Sequence, residues 1–381
     1  MKWRLVAVML IRVISLFVVA LVASKLIPYL GNFPYLDLLL DYKYPHAIYS
    51  WASFDGAHYI NIGRDGYHQY DQAFFPLYPT IITILGSLLG KDHLLAGLLT
   101  SYTGFFIGGY FLFKLMALKY GESVSQWMLI FLIIFPTSFF FTSLYTEGIF
   151  LMLTALSLYC LYRKKLFSAA FFAILCSLTR LQGILLIIPF FFYFYDKKKQ
   201  LAENIVFVIK KHWLMLIAPL GGLLIYMVFL QLSVGDPLFF FNSQPAFNAN
   251  RSTSLILLPQ VYWRYFKIFF QSDFTFQYLV ALSEFVFFNL AFVGSLIFLK
   301  LAWRKQDYFG SGMAFFSLAH ILLPPLTGTF SSMPRYVLFA WALFLALAQI
   351  KDIRVKIGIG ICFVILQIIL ASLFVQGYFV S

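Results

Sequence analysis

The chain has 381 residues, of which 62% are hydrophobic and only 11% are charged, and its mean hydropathy is +0.85. This balance excludes a water-soluble protein, because too few polar side chains are present to cover a core of this size. The formal net charge of +13 would suit a nucleic-acid-binding protein, but the Lys and Arg residues form short runs beside apolar segments, as membrane topology signals do. We therefore predict an integral membrane protein with no nucleic-acid partner.

Apolar segments long enough to cross a bilayer recur along the chain. The first follows a basic N-terminus, and its apolar part is long, so we interpret it as a signal anchor and not as a cleaved signal peptide. The predicted fold is an all-α polytopic membrane protein with a single domain, 1–381. Its eleven predicted spans lie near residues 5–26, 94–118, 123–142, 145–162, 166–180, 182–195, 213–233, 276–300, 309–328, 335–350 and 355–376.

The basic residues predict the orientation of these spans. Most of the 28 Lys and Arg residues fall on the side of the N-terminus, which the positive-inside rule assigns to the cytoplasm. Two long polar loops, 27–93 and 234–275, then face the extracytoplasmic side. Within the first loop, the stretch 80–90 is too short to span and is predicted to be an interfacial amphipathic helix. Because nucleotide sugars and ATP are absent from that side, an enzyme there would use lipid-linked or exported substrates.

The densest polar cluster of the chain lies in the first polar loop, between Trp51 and Pro79. Its ionisable residues are Asp55, His58, Arg64, Asp65, His68 and Asp71. One interpretation is structural: Asp55 caps a surface helix that begins with "GAHYINIG" and places His58 and Tyr59 on one face. The other is functional, because ionisable side chains packed at a membrane are candidates for a site.

Further polar residues interrupt apolar sequence at three places. In "YTEGIF", Glu147 either caps a helix together with Thr146 or belongs to a site. In "LTRLQG", Arg180 and Gln182 lie within a long apolar stretch, where an arginine needs an anion or a carboxylate. Arg180 is therefore either a structural partner of Glu147 or a ligand of an anionic substrate. In "SSMPRYVLF", Arg335 lies at the outer end of a span.

Other chemical signals are weak. No zinc motif, nucleotide-binding glycine loop or GxSxG sequence occurs, so we predict no cofactor and no metal ligands, and leave a requirement for a divalent cation open. In the second polar loop, Arg264 and Lys267 alternate with aromatic residues, which is typical of interfacial anchoring.

Six motifs occur in a fixed order and together resemble one family. They are "SFDGAHYINIGRDGY", "AFFPLYP", "YTEGIF", "LTRLQG", "GDPLFFF" and "PRYVLF". In this order they resemble the GPI mannosyltransferase 2 (PIG-V-type) family and its prokaryotic relatives, in the GT-C superfamily of membrane glycosyltransferases. The resemblance extends from about residue 50 to 345. Phe54 is a departure, because the family often has Trp before the catalytic Asp.

The resemblance implies a GT-C-like fold and a function. The donor would be a polyprenyl-phosphate mannose, the acceptor a lipid-linked or other glycan on the extracytoplasmic side, and the location a prokaryotic plasma membrane. Asp55 would be the general base of an inverting transfer. The remaining predicted site residues contact the donor phosphate or sugar, namely His58, Tyr59, Arg180, Gln182 and Arg335, or support the site, namely Tyr145, Glu147 and Arg64.

Two alternative functions compete with this prediction. A lipid or solute transporter or flippase would also contain intramembrane Arg180 and Glu147, but it predicts paired broken helices and related halves, which the sequence does not show. A non-catalytic scaffold subunit of a membrane complex would not need the Asp55 cluster. Release of polyprenyl phosphate from a labelled donor distinguishes the enzyme from both.

Overall fold

The computed structural model describes residues 2–31, 33–196, 198, 200–247 and 251–380, and no strand occurs within these ranges. The all-α prediction is confirmed. Short 3₁₀ turns connect the helices, which are α1 (Lys2–Leu26), α2 (Leu36–Asp41), α3 (His46–Tyr49), α4 (Asp55–Asp65), α5 (Leu77–Leu88), α6 (His93–Tyr120), α7 (Glu122–Ile133), α8 (Glu147–Tyr162), α9 (Leu166–Thr179), α10 (Ile187–Tyr193), α11 (Leu201–Val234), α12 (Phe239–Asn242), α13 (Leu258–Gln271), α14 (Phe276–Arg304), α15 (Tyr308–Leu322), α16 (Met333–Tyr336), α17 (Trp341–Ala348) and α18 (Ile353–Val375).

Six helical segments in the described part of the chain are long and apolar enough to cross a bilayer. They are Leu5–Leu26, His93–Tyr120, Ala202–Val234, Phe276–Arg304, Tyr308–Thr327 and Ile353–Val375, and shorter apolar helices lie between them. The chain is therefore a polytopic membrane protein, as predicted. The number of eleven spans, the single domain and the orientation stay predictions.

Several predicted spans are not continuous α-helices, and the segments 123–142 and 335–350 are two examples. In the segment 123–142, helix α7 ends at Ile133. Pro136 explains the end, because proline cannot donate a helical hydrogen bond and disfavours helical backbone at the residue before it. The segment 335–350 starts with two short helical turns, Met333–Tyr336 and Val337–Phe339, before α17 begins. Such irregular backbone is tolerated at membrane depth when it is buried in protein, and both interruptions are buried here.

The first polar loop folds into four helices, α2 to α5. The helix predicted for 80–90 begins three residues earlier, at Leu77, directly after Pro76. Proline at this boundary is compatible with a helix start, because its backbone angle is already close to helical. The position of these helices at the membrane interface stays a prediction.

The first and last long helices hold the irregular segment between α7 and α8, which contains the 3₁₀ turn Ser138–Phe141. Arg12 of α1 donates hydrogen bonds to the backbone carbonyls of Ile133 (3.3 Å) and Ser138. Gln367 of α18 also donates to the Ile133 carbonyl, at 3.2 Å. Backbone groups freed from a helix inside a membrane need such partners. The segment thus follows a fixed path to the start of α8, where Glu147 lies.

A close contact between α6 and α8 fixes the position of that helix start. A Cβ atom on Gly104 would lie 2.5 Å from the carbonyl carbon of Gly148, so only glycine permits this approach. Small residues are the usual means by which membrane helices pack closely. Ser101, one turn before Gly104, donates a hydrogen bond to the carbonyl of Tyr145 (3.1 Å). The residues on either side of Glu147 are therefore tied to α6.

Candidate active site

A cavity of about 840 Å³ lies between the two polar loops and the irregular segments that follow α9 and α15. This volume is within the range of small-molecule sites, about 300 to 1,000 Å³. Six of the predicted site residues line it, namely Asp55, His58, Tyr59, Arg180, Gln182 and Arg335. The fold thus brings together predicted site residues from three separate stretches of the sequence.

Four of the predicted residues form a connected ion-pair network. Arg335 donates from Nη1 to Asp55 Oδ2 (2.6 Å) and from Nε to Glu147 Oε1 (3.0 Å). Arg180 donates from Nη1 to the same Glu147 oxygen (2.6 Å). Glu147 is fully buried, whereas the side chain of Asp55 is 32% exposed and lines the cavity. The two arginines and two carboxylates make the network electrically neutral. Of the two carboxylates, Asp55 is the one that a ligand in the cavity can contact.

The two capping interpretations are wrong. Asp55 is the first residue of α4, and the residue before it, Phe54, makes no side-chain cap. Thr146 precedes α8 and likewise makes no side-chain cap. Both carboxylates instead pair with arginines that are distant in sequence. The ion pair between Arg180 and Glu147, one of the two alternatives for Arg180, is present in the structure.

Arg335 keeps Asp55 ionised. Burial would raise the pKa of this carboxyl group, but the attraction and hydrogen bond of Arg335 outweigh that effect. Smaller contributions from His58 and Arg251 act in the same direction as Arg335. The pKa of Asp55 therefore lies below its ordinary value, and at neutral pH the group is a carboxylate that can accept a proton.

A residue with a positive φ lies shortly before each partner of this central pair. Phe54, next to Asp55, has a φ of 60°, and Ser332, three residues before Arg335, has a φ of 63°. Such conformations cost about 1 to 3 kcal/mol each in residues other than glycine and persist only where surrounding contacts impose them. The ring of Phe54 packs between aromatic rings, with that of Phe379 at 5.4 Å, and the Ser332 amide donates to Glu284 Oε1 (3.3 Å). Packing therefore fixes the backbone on both sides of the pair.

Tyr145 contacts the ion-pair network at Arg335. Its ring centroid lies 4.6 Å from the Arg335 guanidinium carbon, a cation–π distance. Its hydroxyl donates to the Ser53 carbonyl (2.8 Å), two residues before Asp55. Tyr145 thus contacts one partner of the central ion pair and the chain that leads to the other.

His58 occupies the cavity wall one turn after Asp55. Its Nδ1 lies 3.4 Å from Asp71 Oδ1, and its ring stacks on Phe74 with centroids 5.1 Å apart. Asp71 is buried and also accepts a hydrogen bond from the His68 amide (3.2 Å). The imidazole is therefore held at a fixed orientation at the edge of the site.

Arg64 is the predicted site residue that neither lines the cavity nor contacts the ion-pair network. Its side chain is 41% exposed and pairs with the neighbouring Asp65 at 2.7 Å. Arg64 follows Asp55 by nine residues, which corresponds to about 180° around a helix, so the two side chains leave α4 on opposite faces. The prediction included Arg64 as a supporting residue because it lies in the same polar cluster, without considering this helical phase.

Arg251 is a charged cavity residue that sequence reasoning missed. It lies in the second polar loop, and its Nη1 donates to Gln244 Oε1 (2.6 Å), which also lines the cavity. The surrounding sequence, "NANRSTS", has no periodicity and matches no motif. Its charge in a long polar loop was the one available signal. In the described ranges, no cluster of three His, Cys, Asp or Glu residues is arranged to hold a metal ion.

These features define a class of protein: a polytopic membrane protein with an ion-paired, accessible carboxylate in the wall of a cavity. No protein-family model matches the chain, and no solved structure is significantly similar to it. Among curated proteins, GPI mannosyltransferase 2 of Schizosaccharomyces pombe is 27% identical over 140 residues. The match covers 35% of this chain and 30% of that relative, so the chain spans under a third of the relative's length.

Proposed function

We propose that the protein is a membrane mannosyltransferase that uses a polyprenyl-phosphate donor. It transfers a mannosyl, or more generally a hexosyl, residue to a glycolipid, glycan or protein acceptor on the extracytoplasmic side. The observation that carries the proposal is Asp55: an ionised carboxylate at the wall of a substrate-sized cavity, held by a buried arginine. The similarity to a mannosyltransferase supports the choice of reaction, and the distribution of basic residues supports the side of the membrane.

In the proposed reaction, an acceptor hydroxyl oxygen attacks the anomeric carbon of the donor sugar. The new bond forms between these two atoms, and the bond from the anomeric carbon to the phosphate oxygen breaks with both electrons leaving on the phosphate. Asp55 accepts the hydroxyl proton. A positioned base contributes about 10²- to 10⁴-fold to such a reaction. Attack opposite to the leaving group inverts the anomeric configuration.

Arg335 has two functions in this mechanism. Its bonds to Asp55 and Glu147 hold the base in position, and its charge keeps the base ionised until the acceptor arrives. Arg180 and Arg335 are also proposed to stabilise the leaving phosphate. Each guanidinium has five N–H donors and uses one or two of them to bind the carboxylates, so the others can bind phosphate oxygens. His58, Tyr59 and Gln182 are proposed to contact the sugar or the phosphate from the cavity wall.

A donor panel tests the proposal. Purified protein is incubated with polyprenyl-phosphate mannose, polyprenyl-phosphate glucose and a set of glycolipid acceptors, and release of polyprenyl phosphate is measured. We expect release from the mannose donor, dependent on acceptor, with the product linkage inverted relative to the donor. Transport of intact labelled lipid between leaflets without cleavage would instead identify a flippase. Folded protein that cleaves no donor with any acceptor would refute the transferase.

A further inference from the structure

The cavity contains a positive charge that the ion-pair network does not use. In that network two arginines meet two carboxylates, so its charges cancel. Arg251 lines the same cavity, but it forms no ion pair with a described carboxylate, and its observed partner is the neutral amide of Gln244. The single observed hydrogen bond of Arg251 occupies one of its five guanidinium N–H donors, so further donors and a full positive charge suit an anionic ligand in the cavity.

The backbone next to Arg251 is hydrogen-bonded to the turn after α15, which forms another part of the cavity wall. The Ser252 amide donates to the Thr327 carbonyl (2.8 Å), and the Ile256 amide donates to the Leu326 carbonyl (2.9 Å). Thr327 and Leu326 themselves line the cavity. Arg251 is thus attached to the scaffold through the turn after α15 and has a defined place in the wall.

The wall beside Arg251 is apolar and open. Leu255 lines the cavity and is 71% exposed, and Leu257, two residues further on, is 63% exposed. Leu323 and Leu326 extend the same apolar lining. A cation beside an exposed apolar strip matches a ligand that has an anionic head and a hydrocarbon chain.

We propose that Arg251 binds the phosphate of the lipid-linked sugar donor, with Gln244 orienting the guanidinium and the leucine strip contacting the first isoprenoid units. The inference rests on the proposed function in one respect, the polyprenyl-phosphate donor. The phosphodiester of that donor carries one negative charge, which Arg251 balances, and the second charge develops as the sugar leaves. Asp55 becomes neutral as it accepts the proton, so the pair of Arg180 and Arg335 then exceeds the charge of Glu147 by one and balances this second phosphate charge.

Ligand binding without turnover provides the test. Affinities of the purified full-length protein are measured for a short-chain polyprenyl phosphate, for the polyprenol of equal length and for an anionic phospholipid. We expect wild type to prefer the phosphate over the polyprenol by about tenfold or more, the scale of one charge-assisted contact. Arg251→Gln should lose most of this preference and bind the polyprenol normally. Arg251→Met, which keeps the length of the side chain, provides a second charge-free variant.

Lys267→Gln is the matched control. It removes one positive charge from the same loop, but Lys267 is exposed, lies outside the cavity lining and stacks on Trp263 at 5.5 Å. We expect its phosphate preference to equal that of wild type. The affinity of each variant for the uncharged polyprenol is the control for correct folding of the cavity.

The inference is overturned if both Arg251 variants bind polyprenol and polyprenyl phosphate as wild type does. It is also overturned if they lose affinity for the anionic phospholipid alone, because Arg251 would then bind an acceptor or bilayer headgroup. The donor panel separates this failure from that of the proposed function: sugar transfer by wild type together with unaffected Arg251 variants refutes the present inference only. Wild type that neither transfers sugar nor prefers the phosphate refutes both.

Discussion

Two buried arginines show what distinguishes a structural charge from a candidate catalytic one. Arg12 and Arg335 are almost equally buried, at 5% and 7% exposure. Arg12 meets neutral acceptors in the described part of the chain, the carbonyls of Ile133 and Ser138, and its guanidinium carbon lies 4.7 Å from the centroid of the Phe105 ring. Arg335 meets two carboxylates and lines a cavity.

Burial alone therefore does not identify a site. An arginine inside a membrane protein is expensive wherever it lies, and both positions interrupt apolar sequence. The cost is offset at Arg12 by backbone dipoles that an interrupted helix leaves without partners. At Arg335 it is offset by charges, one of which stays accessible to a ligand. Partner type and access to a cavity separate the two roles.

The largest expected effect is on the accessible carboxylate. Asp55→Asn keeps the shape of the side chain and an oxygen that can accept from Arg335, but it removes the base. We expect sugar transfer to fall at least about 100-fold, and up to about 10⁴-fold, at normal abundance in the membrane. Asp65→Asn, in the exposed last turn of the same helix, is the control and should have normal activity. Turnover within a few-fold of wild type would exclude Asp55 as the base and make Glu147 the next candidate.

The second prediction concerns the buried end of the network. Glu147→Gln leaves Arg180 and Arg335 without their shared carboxylate, and breaking a buried ion pair costs about 3 to 5 kcal/mol. We expect a clear fall in the midpoint of thermal unfolding in detergent, with partial recovery in the double variant Arg180→Gln, Glu147→Gln.

Glu122→Gln is the control for that experiment. Glu122 also begins a helix, α7, but it is exposed, so its replacement should leave the midpoint nearly unchanged. Equal midpoints for Glu147→Gln and wild type would show that the network contributes nothing to stability. A double variant that keeps full turnover would remove Arg180 from the proposed phosphate contacts.

The smallest expected effect is at the structural arginine. Arg12→Gln loses charge-assisted hydrogen bonds to the segment between α7 and α8, at a cost of about 2 kcal/mol. We expect a lower unfolding midpoint, whereas the folded fraction should keep the wild-type KM for the donor. Lys25→Gln, an exposed change in the same helix, is the control. An altered donor KM in Arg12→Gln would contradict a purely structural role for Arg12 and hence its contrast with Arg335.

Sequence patterns predicted the helical class and most apolar helices because hydropathy and length are local properties. The break at Pro136 was also readable, yet the apolar run from 123 to 142 masked it. The site was predicted in part. Glu147 and Arg180 stand out because ionisable residues are rare in apolar sequence, and Asp55 stands out because it belongs to the densest polar cluster of the chain. Arg251 lies in a polar loop where a single charge is unremarkable.

The sequence by itself determined that this chain enters a membrane, that its backbone is helical there, and which charged residues need a partner. Tertiary structure decided the partners: Arg335 with Asp55 as well as Glu147, Arg12 with carbonyls, and Arg64 turned away from the cavity. The reason is physical. The cost of burying a charge depends on the residue and its apolar surroundings, but the compensating contact joins residues as many as 280 positions apart and depends on how the helices pack.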